Sequence, residues 1–316
     1  MARAFASTKD LGPTPSTLEP LTANTWVYVD EGDPTSGFIV GDDGVMVIDT
    51  RATPIAADDL VRRVREVTDK PFRYVVLTHY HAVRVLGASA YGAEHIIASE
   101  PTMEMIRERG QEDYDSEADR FPRLFQGIES IPGLTWPTMT FSDRMTIMMG
   151  DLEVQIMHPG RGHTRGDTIV WVPSQKVLFS GDLVENGATP YTGDAHLRDW
   201  PGTLDKLRAL KPDFLIPGRG PAMKTPDEGE QAIAGTESFV RALYDGVARE
   251  VAANRSLKEA YDTVVPALEG QYGHWSIFAH CMPFDIARAY DEASGIDHPR
   301  IWTAERDKEM WRQLEQ

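Results

Sequence analysis

Residues 74–81 read YVVLTHYH, a nearly continuous apolar run that ends in two histidines one residue apart. Apolar runs without polar alternation are typical of a strand that is buried on both faces, as in a parallel sheet. His79 and His81 then fall on the loop that follows this strand. Alternate residues of such a loop can turn two imidazoles towards one point, which shared metal ligation requires. The segment therefore predicts a buried strand and two candidate metal ligands.

Around this strand, the chain forms two β-rich blocks, each followed by helices. The first block has an Asp43-Gly44 turn, and Thr53 and Pro54 are suited to cap and begin a helix after it. Helical patterns cover residues 101–124 and 203–210 and most of the chain after 226. Strands are predicted at 26–29, 37–40, 45–48, 73–78, 95–98, 145–149, 152–157, 168–172, 177–180 and 214–217. Two β-rich halves flanked by helices favour the α/β class and an α/β/β/α sandwich.

Composition and charge restrict the class of partner. The chain has 32 Lys and Arg against 49 Asp and Glu, a net charge of −17. Such a surface repels phosphate backbones and anionic lipid, so we expect a small-molecule substrate and neither nucleic-acid nor membrane binding. Part of the excess lies in five acidic residues between 112 and 119, which we interpret as a solvated helix face. A homodimer is expected only from the general frequency of such assemblies.

The cysteine count and the hydropathy pattern bear on the compartment. A single cysteine, Cys281, cannot form an intrachain disulfide or a cysteine-rich zinc site. No apolar run approaches the length of about 18 residues needed to span a bilayer, and the first 20 residues lack the apolar core of a signal peptide. We therefore expect a cytoplasmic protein.

Two further motifs supply candidate metal ligands. Residues 162–167 read GHTRGD and lie between two predicted strands, and residues 180–182 read SGD at the end of another. His163 and Asp182 would thus join His79 and His81 at strand-to-loop junctions. Imidazole and carboxylate groups together suit a borderline divalent ion such as zinc.

These motifs, in their order, resemble those of the metallo-β-lactamase superfamily. The resemblance rests on five segments spread over residues 22–222: VMVIDT at 45–50, THYH at 78–81, GHTRGD at 162–167, SGD at 180–182 and PGRG at 217–220. It implies an αββα sandwich with a metal site between the sheets and hydrolysis by metal-bound hydroxide. Residues 22–222 would form this domain, and residues 223–316 a helical C-terminal extension that packs on or near the pocket.

Mapped onto this chain, the resemblance implies that His79, His81 and His163 bind the first metal and that Asp182 is the carboxylate that bridges two metals. The second-metal ligands are absent. The family's H-x-H-x-D-H supplies Asp and His where this chain has Val83 and Arg84, and its last motif supplies His in place of Arg219. We therefore expect one ion, zinc in the first place, with iron or manganese as alternatives.

Arg84 and Arg219 have two candidate roles. A guanidinium is always protonated and cannot ligate a metal, but two of them restore the two charges of a missing divalent ion. They could orient a substrate carboxylate or a developing oxyanion, for which the guanidinium fork is suited. Alternatively, they could form a structural ion pair with Asp182. The sequence leaves both roles open.

Other polar residues near the motifs are candidates for support or substrate binding. Asp49 is expected beneath the site, and Asp167 is expected to orient a ligand imidazole or to cap its loop. His196 follows the Asp182 strand in a region that often faces substrate in the resembling family. His274 and His280 lie in the tail, which is either a buried helical core or a segment that folds over the pocket and supplies one of them.

The resulting functional hypothesis is a metal-dependent hydrolase with a mononuclear site. Its substrate would be a small anionic carbonyl compound, such as an ester, thioester, lactone or amide, and Asp182 would position the nucleophile or take its proton. One alternative is a catalytically silent anion-binding protein on the same fold. Another is a mononuclear iron oxygenase-type variant, since three histidines can also hold Fe(II).

Overall fold

The computed structural model describes residues 7, 12, 14–30 and 32–315. Its strands form two sheets, in which neighbours in space are neighbours in sequence. In the seven-stranded sheet β1 to β4 are antiparallel and β4 to β7 are parallel. Its strands are β1 Ser16–Pro20, β2 Thr25–Asp30, β3 Ser36–Val40, β4 Val45–Ile48, β5 Phe72–Val76, β6 His95–Ser99 and β7 Met139–Phe141.

The second sheet has five strands, antiparallel except for the parallel pair β11 and β12. Its strands are β8 Arg144–Met149, β9 Leu152–Met157, β10 Ile169–Val172, β11 Val177–Phe179 and β12 Phe214–Ile216. The helices are α1 Pro54–Val67, α2 Ala82–Val85, α3 Glu100–Arg120, α4 Trp200–Leu210, α5 Pro226–Ala252, α6 Leu257–Tyr272, α7 Phe278–Ala293 and α8 Ala304–Glu315. Among the described residues, no helix is both long and apolar enough to cross a bilayer.

The central strands of the first sheet are buried on both faces. Val47 of β4 and Val75 of β5 pack in the hydrophobic cluster with α1 and α3, while Met46, Ile48 and Val76 pack against the second sheet. This alternation explains why β5 reads as a continuous apolar run, since both of its faces lie in a core. The two sheets stack face to face, and the predicted αββα sandwich is confirmed.

The outer face of the second sheet is covered by α4 and by the C-terminal tail, residues 226–315. Leu178 of β11, Leu204 of α4, Phe239 of α5 and Phe284 of α7 belong to one hydrophobic cluster. The tail helices therefore share a core with the sheet rather than forming a separate one.

Three local features differ from the sequence-based expectation. Strand β1 was missed because it is a half-exposed edge strand, and β7 because it has only three residues. The acidic stretch of α3 is not a uniformly solvated face. Its members Glu112, Asp115 and Asp119 are exposed, but Asp113 and Glu117 are buried.

The two buried acids of α3 are satisfied by the short helix α2. Asp113 Oδ2 accepts a hydrogen bond from Ala82 N at 2.7 Å, and Glu117 Oε2 accepts one from Val83 N at 2.8 Å. These amides are unpaired donors at a helix start, which favours acceptors of negative charge. The interpretation of this stretch as solvent-facing was wrong for these two residues.

Candidate metal centre

His79 and His81 leave the carboxyl end of β5 on a loop supported from below by Asp49. Asp49 follows β4 with a left-handed φ of 57°, a conformation that Asp tolerates better than most residues. Its carboxylate accepts hydrogen bonds from Thr78 N at 2.9 Å and Thr78 Oγ1 at 2.8 Å. Thr78 Oγ1 in turn lies 2.9 Å from His79 Nδ1. Asp49 therefore acts on His79 through Thr78, which fits the supporting role expected of it.

His163 lies on the loop between β9 and β10, which Asp167 closes. Both carboxylate oxygens of Asp167 accept hydrogen bonds from Thr164 N, at 3.0 and 3.1 Å, and Oδ1 also accepts one from Thr164 Oγ1 at 2.7 Å. Of the two roles considered for Asp167, this geometry is that of a loop cap. The ring of His163 is held by Tyr191 instead, whose carbonyl oxygen lies 2.9 Å from His163 Nδ1.

The three histidines converge on one point. Their nearest candidate ligand atoms all lie within 4.8 Å of one another, and all three side chains are buried. His81 Nδ1 is 3.1 Å from His163 Nε2. Asp182 Oδ2 lies 3.8 Å from His79 Nε2 and 3.6 Å from His163 Nε2. Residues from distant parts of the sequence thus form one compact cluster at the ends of β5 and β11.

The hydrogen bonds of the ring nitrogens show that this cluster is suited to bind a metal ion. The nitrogen of each imidazole that faces away from the cluster is held by another group: Thr78 Oγ1, Asp194 or Tyr191 O. The inward nitrogen of His79, Nε2, is buried and has no hydrogen-bond partner in the described part of the chain. Metal-binding histidines are typically held in this way by a hydrogen bond at the other nitrogen. Three such nitrogens match the donor set of a catalytic zinc site.

The pKa shifts of His79 and His163 favour neutral imidazoles. Burial lowers the pKa of His79 well below 6.5, and its neighbours His163 and His81 lower it further. Burial also lowers the pKa of His163, to about 3, despite the opposing charge of Asp182. A neutral imidazole has the lone pair that ligation needs.

His81 is in a different electrostatic environment. Burial alone would lower its pKa, but Asp113, Asp194 and Glu117 raise it to about 9. Its Nε2 lies 3.3 Å from Asp194 Oδ2, so the carboxylate holds the proton on that nitrogen. Asp194 also accepts a hydrogen bond from Arg109 Nη1 at 2.9 Å.

Asp194, Tyr191 and Arg109 were missed by the sequence analysis. Asp194 and Tyr191 lie in the stretch YTGDAH at 191–196, in which only His196 was singled out. Arg109 lies in the charged helix α3. Asp194 is one of three acidic residues in the loop after Asp182, with Glu185 and Asp199, and nothing in its spacing pointed to His81.

Arg84 stands beside Asp182. It is fully buried, and its Nη2 is ion-paired with Asp182 Oδ1 and also donates to Gly218 O. Its Nη1 donates to Thr35 O at 2.8 Å and lies 3.3 Å from Asp49 Oδ2. Both terminal nitrogens are therefore committed within the protein, which is the geometry of the ion-pair role rather than of a substrate anchor. The lack of a side chain at Gly218 leaves space for the Asp182 carboxylate, because a β-carbon there would overlap it.

The charge of Arg84 acts directly on Asp182. Burial alone would raise the pKa of this carboxyl, but Arg84 in the first place, and then His163 and Arg219, hold the pKa below its ordinary value. Asp182 is thus ionised beside the histidine cluster. Val83 packs in the apolar cluster of the first sheet and offers no ligand atom.

Arg219 makes fewer hydrogen bonds and ion pairs with the described residues than Arg84 does. It is buried and its Nη1 donates to Gly32 O at 3.2 Å, in the hairpin between β2 and β3. Its guanidinium forms no ion pair within the described ranges. The charge of Arg219 nevertheless lowers the pKa of both His79 and Asp182, so it acts electrostatically on the cluster.

The three remaining histidine candidates lie in different surroundings. His280 is buried on α7, with its ring 4.1 Å from that of Phe121 and 5.8 Å from that of Phe284. His196 is also buried; its Nδ1 lies 3.9 Å from Asp297 Oδ1, and its backbone N donates to Gly162 O at 2.8 Å. His274 is exposed next to Trp275. The structure therefore does not gather these three residues into one group.

The side chain of His280 is linked to the cluster through a series of ring and guanidinium contacts. Arg120 lies 4.5 Å from the ring centre of Phe284, and its Nη1 is 3.4 Å from Tyr191 Oη. The ring of Tyr191 is 5.6 Å from that of His81. Burial lowers the pKa of His280 well below 6.5, and the charges of Arg120 and Arg219 lower it further.

Comparisons with known proteins agree with this architecture. Among curated relatives, the metallo-β-lactamase type 2 of Bacillus cereus is 22% identical over 215 residues, which cover 64% of this chain and 76% of that protein. The linear primary-alkylsulfatase of Pseudomonas sp. (strain ATCC 19151) is 22% identical over 66% of this chain and 45% of its own length. The 2,4-dinitroanisole O-demethylase subunit alpha of Nocardioides sp. (strain JS1661) is 27% identical over 66% of this chain and 60% of its own length.

Among solved structures, the metallo-β-lactamase from Pontibacter korlensis superposes with a TM-score of 0.57. It is 21% identical, and the match covers 72% of this chain and 99% of that one, which supports the same fold. Residues 29–219 match the profile of the metallo-β-lactamase superfamily. The chain belongs to the metallo-β-lactamase superfamily.

Proposed function

We propose that the protein is a metal-dependent hydrolase with a mononuclear centre held by His79, His81 and His163. The observation that carries this proposal is the convergence of three buried imidazole nitrogens whose opposite nitrogens are each fixed by a hydrogen bond. Zinc is the expected ion, because a three-histidine set with room for a fourth ligand is common in catalytic zinc sites. Iron and manganese are the alternatives that elemental analysis would distinguish.

One ion rather than two is proposed because of Arg84. Its guanidinium is buried against Asp182 and Asp49, so a permanent positive charge already lies where the second divalent ion would be. A second cation beside Arg84 would be repelled by the guanidinium, because the two charges would lie close together in a poorly screened interior.

The residues of the chain can then be assigned roles in hydrolysis. His79, His81 and His163 would hold the ion, which would lower the pKa of a bound water to about 7 and so supply a nucleophile at neutral pH. Asp182, kept ionised by Arg84, would accept a hydrogen bond from the attacking water and hold its orientation. Arg219 supplies a positive charge close to His79 and Asp182, where negative charge develops on a carbonyl oxygen.

The substrate class is proposed from Arg219 and from the charge of the site. The guanidinium of Arg219 is buried and makes one hydrogen bond to the described residues, so its other donors suit a substrate carboxylate or a tetrahedral oxyanion. We therefore propose a small anionic carbonyl compound: an ester, thioester, lactone or amide. The names of the relatives describe action on different compounds, a sulfate ester for one and an aryl methyl ether for another, so family membership alone does not select the bond.

A substrate panel tests this function. Purified protein loaded with one equivalent of zinc is assayed against carboxylate-bearing esters, thioesters, lactones and amides, and against uncharged analogues of each. Turnover that is lost after chelation and regained on adding zinc would support the proposal. Tight binding of the anionic compounds without turnover would favour an anion-binding protein, and oxygen-dependent conversion by an iron-loaded sample would favour the oxygenase alternative.

A further inference from the structure

Two of the three hydrogen bonds that orient the histidines come from one irregular segment, the loop of residues 185–199. This site loop lies between the turn at 181–183 and α4. Tyr191 O holds His163 Nδ1, and Asp194 holds His81 Nε2. Because the site loop has no strand or helix of its own, other parts of the chain must fix its backbone if these two bonds are to be oriented.

One face of α7 provides those contacts. Thr192 N donates to Asp285 Oδ1 at 2.7 Å, and Leu197 N donates to Glu292 Oε2 at 2.9 Å. Between them, Arg288 Nε donates to Ala195 O at 2.7 Å. Asp285, Arg288 and Glu292 are spaced i, i+3 and i+7, so they project from the same side of the helix. Three consecutive polar positions on this face thus bond to three points along the site loop.

The rest of the tail adds to this attachment. Thr189 N donates to Ser276 O at 3.0 Å, and Ser276 N donates to Gly187 O at 3.0 Å. Trp302 Nε1 donates to Gly193 O at 3.1 Å. The site loop is therefore tied to the tail on both sides of Tyr191 and directly beside Asp194.

The burial of these groups argues that the contacts are specific. Asp285, Arg288 and Glu292 are buried in a helix whose apolar residues pack in the large hydrophobic cluster. Burying such groups is costly unless they are paired, and tail docking alone would be served as well by apolar residues. Asp291 of the same helix provides a contrast, because its carboxylate pairs with Arg300 and Arg306 inside the tail and does not contact the site loop.

We propose that the C-terminal tail is a structural part of the metal centre. Through Asp285, Arg288 and Glu292, helix α7 fixes the site loop so that Tyr191 and Asp194 hold His163 and His81 in the metal-binding orientation. These three are positioning residues that act through the loop. The inference rests on the proposed function in one respect only, namely that the three histidines bind a metal.

The central experiment compares two neighbouring carboxylates of α7. Glu292→Gln replaces an acceptor of two loop amides, Leu197 N and Arg198 N, with a group that presents an N–H in place of one oxygen. Asp291→Asn is the matched control, a buried carboxylate with no loop contact. Loss of an outer hydrogen-bond partner typically weakens metal affinity 10- to 100-fold. We expect zinc affinity, measured by chelator competition, to fall about 10-fold in Glu292→Gln and less than about 2-fold in Asp291→Asn.

A second readout does not depend on metal. The imidazole ¹⁵N shifts of His81 and His163 in metal-free protein report their hydrogen bonds directly, and we expect them to move in Glu292→Gln and to stay in place in Asp291→Asn. If both variants bind zinc and show ¹⁵N shifts like the parent, the inference is wrong. If the parent itself binds no zinc, the proposed function fails, and the ¹⁵N shifts alone then decide whether the tail orients the histidines.

A milder variant covers the case in which Glu292→Gln does not fold. Trp302→Phe keeps most of the ring packing and removes only the bond to Gly193 O, next to Asp194. We expect a smaller loss of zinc affinity, of the order of 3-fold, with the same movement of the His81 ¹⁵N shift. Unchanged affinity together with an unchanged shift would overturn the proposal.

Discussion

The guanidinium of Arg84 is ion-paired with the carboxylate of Asp182 and is completely shielded from solvent. The same guanidinium lies 3.3 Å from Asp49, so one cation joins the carboxylate at the histidine cluster to the carboxylate beneath it. Arg84 thus places one positive charge between two buried carboxylates, so part of the charge balance beside the histidine cluster is built into the fold.

Replacing Arg84 should be strongly destabilising. Arg84→Met leaves two buried carboxylates without their cation, and breaking a buried pair from one side typically costs about 3–5 kcal/mol of unfolding free energy. The measurement is denaturant unfolding of the metal-free protein. Arg62→Met is the control, because Arg62 forms ion pairs on the exposed face of α1 and should change stability by less than about 0.5 kcal/mol. Similar stabilities for the two variants would contradict the structural role of Arg84.

Metal content should depend on the histidines of the cluster and not on His274 of the tail. We expect about one equivalent of zinc per chain in the parent, by elemental analysis after gel filtration, and loss of tight binding in His163→Ala because one of three donors is removed. His274→Ala should retain the full equivalent, since His274 is exposed beside Trp275. Two tightly bound ions in the parent would refute the mononuclear proposal, and loss of zinc in His274→Ala would place that residue at the centre.

Ten of the twelve described strands and the histidine motifs could be predicted because both depend on local pattern. The buried run before His79 and the turn at Asp43-Gly44 are readable from sequence alone, and the strand ends place His163 and Asp182 at the same edge. The partners of the histidines could not be predicted in this way. Asp194 lies 113 residues from His81, and its carboxylate reaches that ring only in the folded chain, where Arg109 of α3 also binds it.

The acidic stretch of α3 also shows that a local sequence pattern does not predict contacts with a neighbouring element. Its charge density is typical of a solvated helix, yet Asp113 and Glu117 are drawn into the interior by unpaired amides at the start of α2. The pattern of a helix predicts which face is apolar, but it does not reveal that a neighbouring helix start needs acceptors. For Arg84 the sequence left two roles open, and only the contacts of both terminal nitrogens distinguish them.

Asp194 should be necessary for tight metal binding. Asp194→Asn keeps the size of the side chain but removes the negative charge that faces His81 and accepts from Arg109. We expect zinc affinity to fall 10- to 100-fold in chelator competition, because the orientation of His81 is lost. Asp199→Asn is the control, an exposed carboxylate paired with Arg161 near the end of the same loop. Equal affinity in the two variants would show that Asp194 does not hold His81.

Arg219 should distinguish anionic from uncharged substrates. Arg219→Gln removes the positive charge while keeping an amide donor, and hydrogen bonds to charged groups are worth about 1.5–3 kcal/mol, or roughly 10- to 150-fold. We expect kcat/KM for a carboxylate-bearing substrate to fall by this factor, mostly through KM, and kcat/KM for its uncharged analogue to fall much less.

The control for Arg219 is a second arginine at the same hairpin. Arg123 pairs with Asp33 at 2.6 Å through both terminal nitrogens, so its charge is already neutralised within the protein. Arg123→Gln should therefore lower kcat/KM equally for charged and uncharged substrates, if it lowers it at all. A comparable loss for both substrates in Arg219→Gln would instead indicate that Arg219 acts on the developing oxyanion, which every carbonyl substrate shares, and would remove the reason for proposing an anionic one.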